Sequence, residues 1–265
     1  MTLLDIRDLT IRTRDRTLVS RLSLRLEPGQ RLGLIGESGS GKSLTALAAI
    51  GLLPSGLLAA GSVQLGGVDV IGAPDRTLTG LRGAVAATVF QEPLTALDPL
   101  MRVGRQVAEP LRRRAGREGR RVDIAREVMR LFEQVALPEP ERIARALPHE
   151  ISGGQRQRVA IAMALACAPR LLIADEPTTA LDVTTQAAIL KLLDDLIRER
   201  NMALLFISHD LPVVAGVVDD VLVLRHGEAV EAGPVAKVFA EPQATYTREL
   251  VGAARAFDAG LESTV

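Results

Sequence analysis

The stretch Gly36-Glu37-Ser38-Gly39-Ser40-Gly41-Lys42-Ser43 has the make-up of a phosphate cradle: a glycine, four residues, then Gly-Lys-Ser. Gly36, Gly39 and Gly41 let the backbone turn where a Cβ would clash, so that successive N–H groups can converge on an anion. Lys42 supplies a cation for the outer phosphates of a nucleotide, and the Ser43 hydroxyl is a hard oxygen ligand of the kind Mg2+ takes. The constrained positions arise by chance in roughly one chain in a hundred of this length. A dinucleotide fingerprint is excluded, because Ser38 stands where G-x-G-x-x-G needs its second glycine.

Other polar residues could complete that chemistry. Ser152-Gly153-Gly154-Gln155 joins a good N-cap to two glycines at the start of a helical run, a second place where backbone donors face an anion. Asp175-Glu176 closes an apolar run. Asp175 suits direct or water-mediated Mg2+ binding, and Glu176 suits a base that orients and deprotonates an attacking water. Gln91 and His209 also follow apolar runs. Each has a plainer reading, as a simple cap, solvated acids, a surface glutamine or a filler histidine. Their order behind a phosphate cradle favours the chemical one.

The elements that must position these residues can be read from periodicity. Leu32–Ile35 is a short apolar strand entering the cradle, and Leu44 to Ile50 reads as the helix leaving it. Strands over Ala84–Phe90, Arg170–Ala174 and Ala203–Ile207 end at Gln91, Asp175 and Ser208-His209-Asp210. In an α/β sheet such strand ends face the ligand crevice. Residues 3–26 alternate apolar and polar in two runs that predict an antiparallel hairpin, and Gly61–Val70 joins the same sheet. Val103–Ala146 is helical, with Val122, Ala125, Val128, Met129, Phe132 and Val135 on one face. Gln186–Arg200 is a further helix. Val221–Leu224 and Glu228–Glu231 form a hairpin around His226-Gly227, and the tail from Pro242 is helical and frays toward Val265. Arg112–Arg121, six arginines in ten residues, reads as a solvated connector ahead of the functional readings, a nucleic-acid patch or an anionic-lipid or partner contact.

Composition bounds the function. With 265 residues and 47% hydrophobic content the chain can bury a sizeable core. Basic and acidic residues balance at 32 each, 2% of residues are aromatic and tryptophan is absent, which argues against nucleic acid as a partner. The single cysteine, Cys167, lies in the apolar run Val159–Ala168, which is too short to span a bilayer. It reads as a small buried hydrophobe. Met1–Asp5 carries no leader features. A cytoplasmic chain is expected.

Taken together these residues resemble the nucleotide-binding subunit of ATP-binding cassette (ABC) transporters, over almost the whole chain. The resemblance implies an α/β fold: a P-loop NTPase, RecA-like core with an N-terminal antiparallel β subdomain and a helical insertion. It places the ATPase domain at about residues 1–240, the helical subdomain at about 92–158 and a short tail at 241–265. Gly36–Ser43, followed by Leu44, matches the Walker A loop, Gln91 the Q-loop, and Ile151–Gln155 the signature sequence with isoleucine for the usual leucine. Leu171–Asp175 matches the Walker B strand, Glu176 the catalytic glutamate, Ala180-Leu181-Asp182 the D-loop and His209 the switch histidine.

ATP and Mg2+ are then the implied ligands, with Ser43, Gln91 and Asp175 toward the metal. Two such subunits face head to tail, each ATP lying between the cradle of one and the Ser152–Gln155 helix start of the other. The implied partners are a second ATPase subunit, two transmembrane permease subunits and an extracytoplasmic substrate-binding protein, with this chain peripheral on the cytoplasmic face of the membrane. Gly36–Ser43, Phe90–Pro99, Ala174–Gln186 and the tail Phe239–Pro242 through Tyr246-Thr247-Arg248 are similar to the dipeptide/oligopeptide/nickel importer branch. Two features depart from it. Ile11-Arg12-Thr13-Arg14 stands where an aromatic residue usually stacks on adenine, so that either Arg12 or Arg14 substitutes by cation–π stacking or base selectivity is loose. The cysteine-bearing extension of many peptide importers is missing, which leans toward nickel-type subunits. The alternatives are a soluble ABC ATPase acting on nucleic acid or ribosomes, and an exporter cassette.

Overall fold

The computed structural model describes residues 2–92, 96–179 and 181–262. Pro93, Leu94 and Thr95, within the branch-like stretch, and Ala180 of the D-loop lie outside the described residues. Among the described residues the chain forms two compact units, one built from the residues up to Thr79 and from Ala203 onward, the other Gly80–Met202.

The first unit opens with β1 (Leu4–Arg12), β2 (Thr17–Leu26), β3 (Arg31–Ile35), α1 (Lys42–Ala49), β4 (Leu58–Leu65), β5 (Val68–Asp69) and α2 (Asp75–Leu81). The expected alternation forms an antiparallel sheet in the order β2-β1-β4-β5. Leu4, Ile6, Leu9 and Ile11 of β1 are buried. The uneven step from Ile6 to Leu9 is a bulge, with the register slipping against both neighbouring strands. Asp8 (φ 49°) and Arg21 (φ 47°) take left-handed conformations there. Across the slip Gly61 comes so close that a Cβ would sit 2.5 Å from the Asp8 carbonyl oxygen.

The second unit carries β6 (Ala86–Val89), α3 (Val103–Glu118), α4 (Ile124–Gln134), α5 (Pro140–Arg145), a 3-10 turn (Pro148–Glu150), α6 (Gly153–Leu165), β7 (Leu171–Asp175) and α7 (Val183–Arg200). β6 and β7 pair in parallel with Val89 opposite Ala174. The helical stretch from Val103 is thus three helices. In α4 the buried face is Val128, Leu131 and Phe132, continued by Val135. Ala125 is exposed and Val122 precedes the helix, because Asp123 caps it by accepting the Arg126 N–H at 3.2 Å. The arginine run corrects the connector expectation. α3 continues to Glu118 before Gly119 turns left-handed (φ 61°), and i,i+4 pairs hold the run in a helix, Arg113 with Glu109 at 3.1 Å and Arg114 with Glu118 at 2.8 Å. Arg114 and Arg117 also turn inward to the carbonyls of Ala166 and Gly80. α7 begins at Val183 rather than Gln186, since the Asp182 carboxylate accepts the Thr185 N–H at 2.9 Å.

The chain re-enters the first unit with β8 (Ala203–Ser208), α8 (Leu211–Val217), β9 (Asp220–Arg225), β10 (Glu228–Pro234), α9 (Val235–Ala240) and α10 (Thr245–Glu262). β8 and β9 flank β3 in parallel, and β10 closes an antiparallel hairpin on β9. β8 is buried at every position, as a strand covered on both faces must be. Each large apolar side chain so buried stabilises by roughly 1.5–3 kcal/mol. None of the described helices is long and apolar enough to cross a membrane.

Candidate functional site

In the first unit β3 delivers the chain to the cradle at Gly36, which lies against β9. A Cβ there would stand 2.1 Å from the Leu224 carbonyl oxygen, so only glycine (φ 145°) passes. At the other end Gly41 (φ 100°) is the N-cap of α1, and a Cβ on it would press into Val19 at 2.8 Å. Between them Glu37, Ser38 and Gly39 are exposed and Ser40 is buried. Lys42 is only 5% exposed, and its ammonium donates to the carbonyls of Gly36 at 2.7 Å and Glu37 at 2.8 Å. The lysine therefore lies beneath the arch of its own loop. Ser43 is exposed on the first turn of α1, Leu44 is half-buried, and Thr45 anchors the turn by donating its hydroxyl to the Gly41 carbonyl at 2.9 Å. From outside the loop the Gly227 N–H donates to the Ser40 carbonyl at 3.1 Å, and the Glu37 N–H donates to Tyr246 Oη at 3.0 Å.

His209 reaches the same sheet edge. Ile35 of β3 is in register with Ser208 of β8, so the cradle and His209 leave adjacent parallel strands. The Asp210 N–H donates to Ser208 Oγ at 3.0 Å and the Asp210 carboxylate accepts the Val213 N–H at 3.2 Å, capping α8. This turn leaves the imidazole exposed.

The second unit gathers the remaining residues. Val89 and Ala174 are in register, so Gln91 and the pair Asp175-Glu176 leave neighbouring strands at one edge. Gln91 is exposed, while Asp175 and Glu176 are half-buried. Glu176 is held left-handed (φ 47°), a conformation that costs a non-glycine residue about 1 kcal/mol or more, and its carboxylate accepts the Thr179 hydroxyl at 3.0 Å. Asp182 carries a carboxyl below its ordinary value, chiefly because the Thr185 N–H and hydroxyl bond the ionised form.

The Ser152–Gln155 start is a reciprocal capping box. Ser152 Oγ accepts the Gln155 N–H at 3.2 Å and Gln155 Oε1 accepts the Ser152 N–H at 3.0 Å. Its second glycine has a packing reason that sequence reading missed, since a Cβ on Gly154 would lie 2.6 Å from the Thr185 methyl at the start of α7. Ile151, the departure from leucine, is buried, so the position keeps its apolar contact. Tyr246 was also missed as a contributor to the cradle, although its being the only tyrosine of the chain was a usable signal. Arg12 and Arg14 are both exposed.

A glycine loop between a parallel strand and a helix, with a buried lysine under it and a polar strand end on the adjacent parallel strand, defines a P-loop nucleotide-binding α/β protein. The family described as ABC transporter matches residues 19–179. The chain is 46% identical to the oligopeptide transport ATP-binding protein OppD of Salmonella typhimurium over 244 residues, covering 92% of this chain and 72% of that protein. It is 48% identical to the glutathione import ATP-binding protein GsiA of Shigella dysenteriae over 247 residues, covering 89% of this chain but 38% of that longer one. Among solved structures the dimeric bacterial ABC transporter cassette MJ0796 is similar with a TM-score of 0.75 and 28% identity, covering 88% of this chain and 98% of that one. The chain belongs to the ABC transporter family, as an ATP-hydrolysing cassette.

Proposed function

We propose that this cassette powers the uptake of small peptides, with nickel or another metal chelate as the lesser candidate cargo. The observation that carries the reading is the match, over nearly the whole chain, to cassettes named for oligopeptide and glutathione transport. The neutral charge balance and scarcity of aromatic residues give the nucleic-acid alternative no support.

In this reading Lys42 leaves the carbonyls of Gly36 and Glu37 to meet the outer phosphates of ATP, while the backbone from Glu37 to Leu44 wraps them. Glu176 takes the proton of the attacking water, and His209 and Gln91 orient the reacting γ-phosphate from their strand ends. The residues present fit Mg2+ by donor type: Ser43 offers a hydroxyl oxygen, Gln91 an amide oxygen and Asp175 a carboxylate, and among the described residues no cluster of three or more His, Cys, Asp or Glu exists that could hold a metal unaided. Such a chain supplies few ligands and leaves the rest to phosphate and water, as Mg2+ sites do. When bound, the metal neutralises charge developing on the phosphates. Arg12 or Arg14 stacks on adenine.

The capped start at Ser152–Gln155 serves the ATP held by a second cassette, which makes a dimer obligatory for turnover. Two membrane permeases and an extracytoplasmic binding protein complete the assembly, with this chain peripheral on the cytoplasmic face. A groove of about 530 Å³ in the second unit, lined by Phe90, Met101, Ala160 and Met163 among others, supports a permease contact, as does Leu100, 89% exposed beside it in sequence. The test is uptake of labelled di- and oligopeptides and of nickel by cells lacking the gene. Loss of peptide uptake, restored by the parent chain but not by Glu176→Gln, is expected; unchanged peptide uptake rejects the cargo assignment.

A further inference from the structure

We propose that Tyr246, in the first turn of the C-terminal helix, is a positioning residue of the phosphate loop, holding the Glu37 peptide in place so that the loop meets ATP already formed. The inference rests on reading that loop as the ATP site.

The contact joins residues 209 positions apart: the Glu37 N–H donates to Tyr246 Oη at 3.0 Å. Glu37 is gripped twice, because its carbonyl accepts the Lys42 ammonium at 2.8 Å. The second grip is lost when a nucleotide draws the ammonium to its phosphates, whereas the first survives, since the tyrosine carries no charge to attract. Tyr246 thus keeps Glu37 from following Lys42.

Tyr246 is itself firmly held. It is only 4% exposed, and the Arg225 guanidinium stacks over its ring at 4.7 Å from the centroid. Arg225 follows Leu224, whose carbonyl backs Gly36, so the same strand end braces both the ring and the loop. Burial pushes the phenol above its ordinary value, which keeps it a neutral acceptor. The approach to α10 is pinned where the Glu231 carboxylate accepts the N–H groups of Gln243 at 2.9 Å and Ala244 at 3.0 Å. Farther along α10, Arg255 donates to the Phe239 carbonyl at 2.7 Å. The tail is therefore a strut that ends on the loop.

The chain contains this one tyrosine and no tryptophan, so its intrinsic emission reports the contact without a label. In the purified full-length chain, with binding followed by equilibrium dialysis, saturating ATP should leave the tyrosine fluorescence lifetime, a quantity that adenine absorption does not distort, at its nucleotide-free value, because the hydrogen bond to Glu37 is kept. Tyr246→Phe removes only the hydroxyl. ATP affinity should fall about fivefold, the worth of one neutral hydrogen bond, and in hydrolysis the loss should appear in KM more than in kcat. A lifetime shifted by saturating ATP, the sign that the bond to Glu37 breaks, or an affinity in Tyr246→Phe within twofold of the parent, overturns the proposal. An affinity loss accompanied by a fall in Tm beyond about 5 °C also overturns it, by assigning the hydroxyl to packing. A parent chain that binds no ATP overturns this inference and the reading of the loop together.

Discussion

α1 begins at Gly41 in a left-handed conformation with no side chain capping its first turn. α6 begins behind an extended Ser152 whose side chain and that of Gln155 close a capping box. The first start is shaped from outside, by Leu224 behind Gly36, the Gly227 N–H on Ser40 and Tyr246 on Glu37. The second is shaped by its own sequence within four residues. A helix start with no side-chain cap offers its first turn to a ligand. One with a capping box has two of its donors, the N–H groups of Ser152 and Gln155, already taken. The contrast accords with the proposed division, in which the cradle binds ATP within one chain and the second start serves the nucleotide of a partner.

The contrast can be broken at several points. Glu176→Gln should have the largest effect, lowering the hydrolysis rate by roughly 10²- to 10⁴-fold while ATP stays bound, read as phosphate release against dialysis of labelled ATP. Turnover near the parent rate would remove Glu176 from its role. Lys42→Ala should weaken ATP binding about 10- to 100-fold, the loss of charge-assisted hydrogen bonds to phosphate, and it should do so in the isolated chain.

Variants in the second start should behave differently. Gly154→Ala forces a methyl to 2.6 Å from Thr185 and should cost roughly 1–3 kcal/mol of stability. Thr185→Ser, which deletes the opposing methyl, should restore part of it in thermal unfolding. Ser152→Ala should cost about 1 kcal/mol through the lost cap. It should slow hydrolysis in the assembled transporter without altering the ATP affinity of the isolated chain. An equal loss of affinity from Ser152→Ala and Lys42→Ala would abolish the distinction between the two starts.

What could be read from the sequence divides along the same line. The Ser152 cap and the strand ends that carry Gln91, Asp175 and His209 depend on near neighbours, and each is where spacing places it, whereas the caps at Asp182 and Asp210 went unread. The other missed features are contacts between distant segments: Thr185 against Gly154, Leu224 against Gly36, and Tyr246 on Glu37. Periodicity says which face of a strand or helix is apolar and not what meets it. The arginine run misled for a related reason. Its glycines, Gly116 and Gly119, suggested a break at both, whereas only Gly119 turns left-handed, and i,i+4 pairing carries the helix past Gly116.

The smallest effect, and the most selective, concerns pH. Burial pushes the Glu231 carboxyl up, but the N–H groups of Gln243 and Ala244 and other contacts outweigh it, leaving the group below its ordinary value of 4.5. A carboxyl depressed in the folded state stabilises above its unfolded value, and that contribution is lost as pH falls through the folded one. Acidification from neutral to below 4.5 should therefore loosen the start of α10, and with it the Tyr246 support of the cradle. The capping box of α6 contains serine and glutamine only and has nothing to titrate there. Amide hydrogen exchange at matched intrinsic rates should show protection falling at Gln243, Ala244 and Glu37 while Gln155 holds. Glu231→Gln should show reduced protection at neutral pH and a flatter pH response. A parallel loss at Gln155, or an unchanged pH response in Glu231→Gln, would mean that the tail does not support the first start separately from the second.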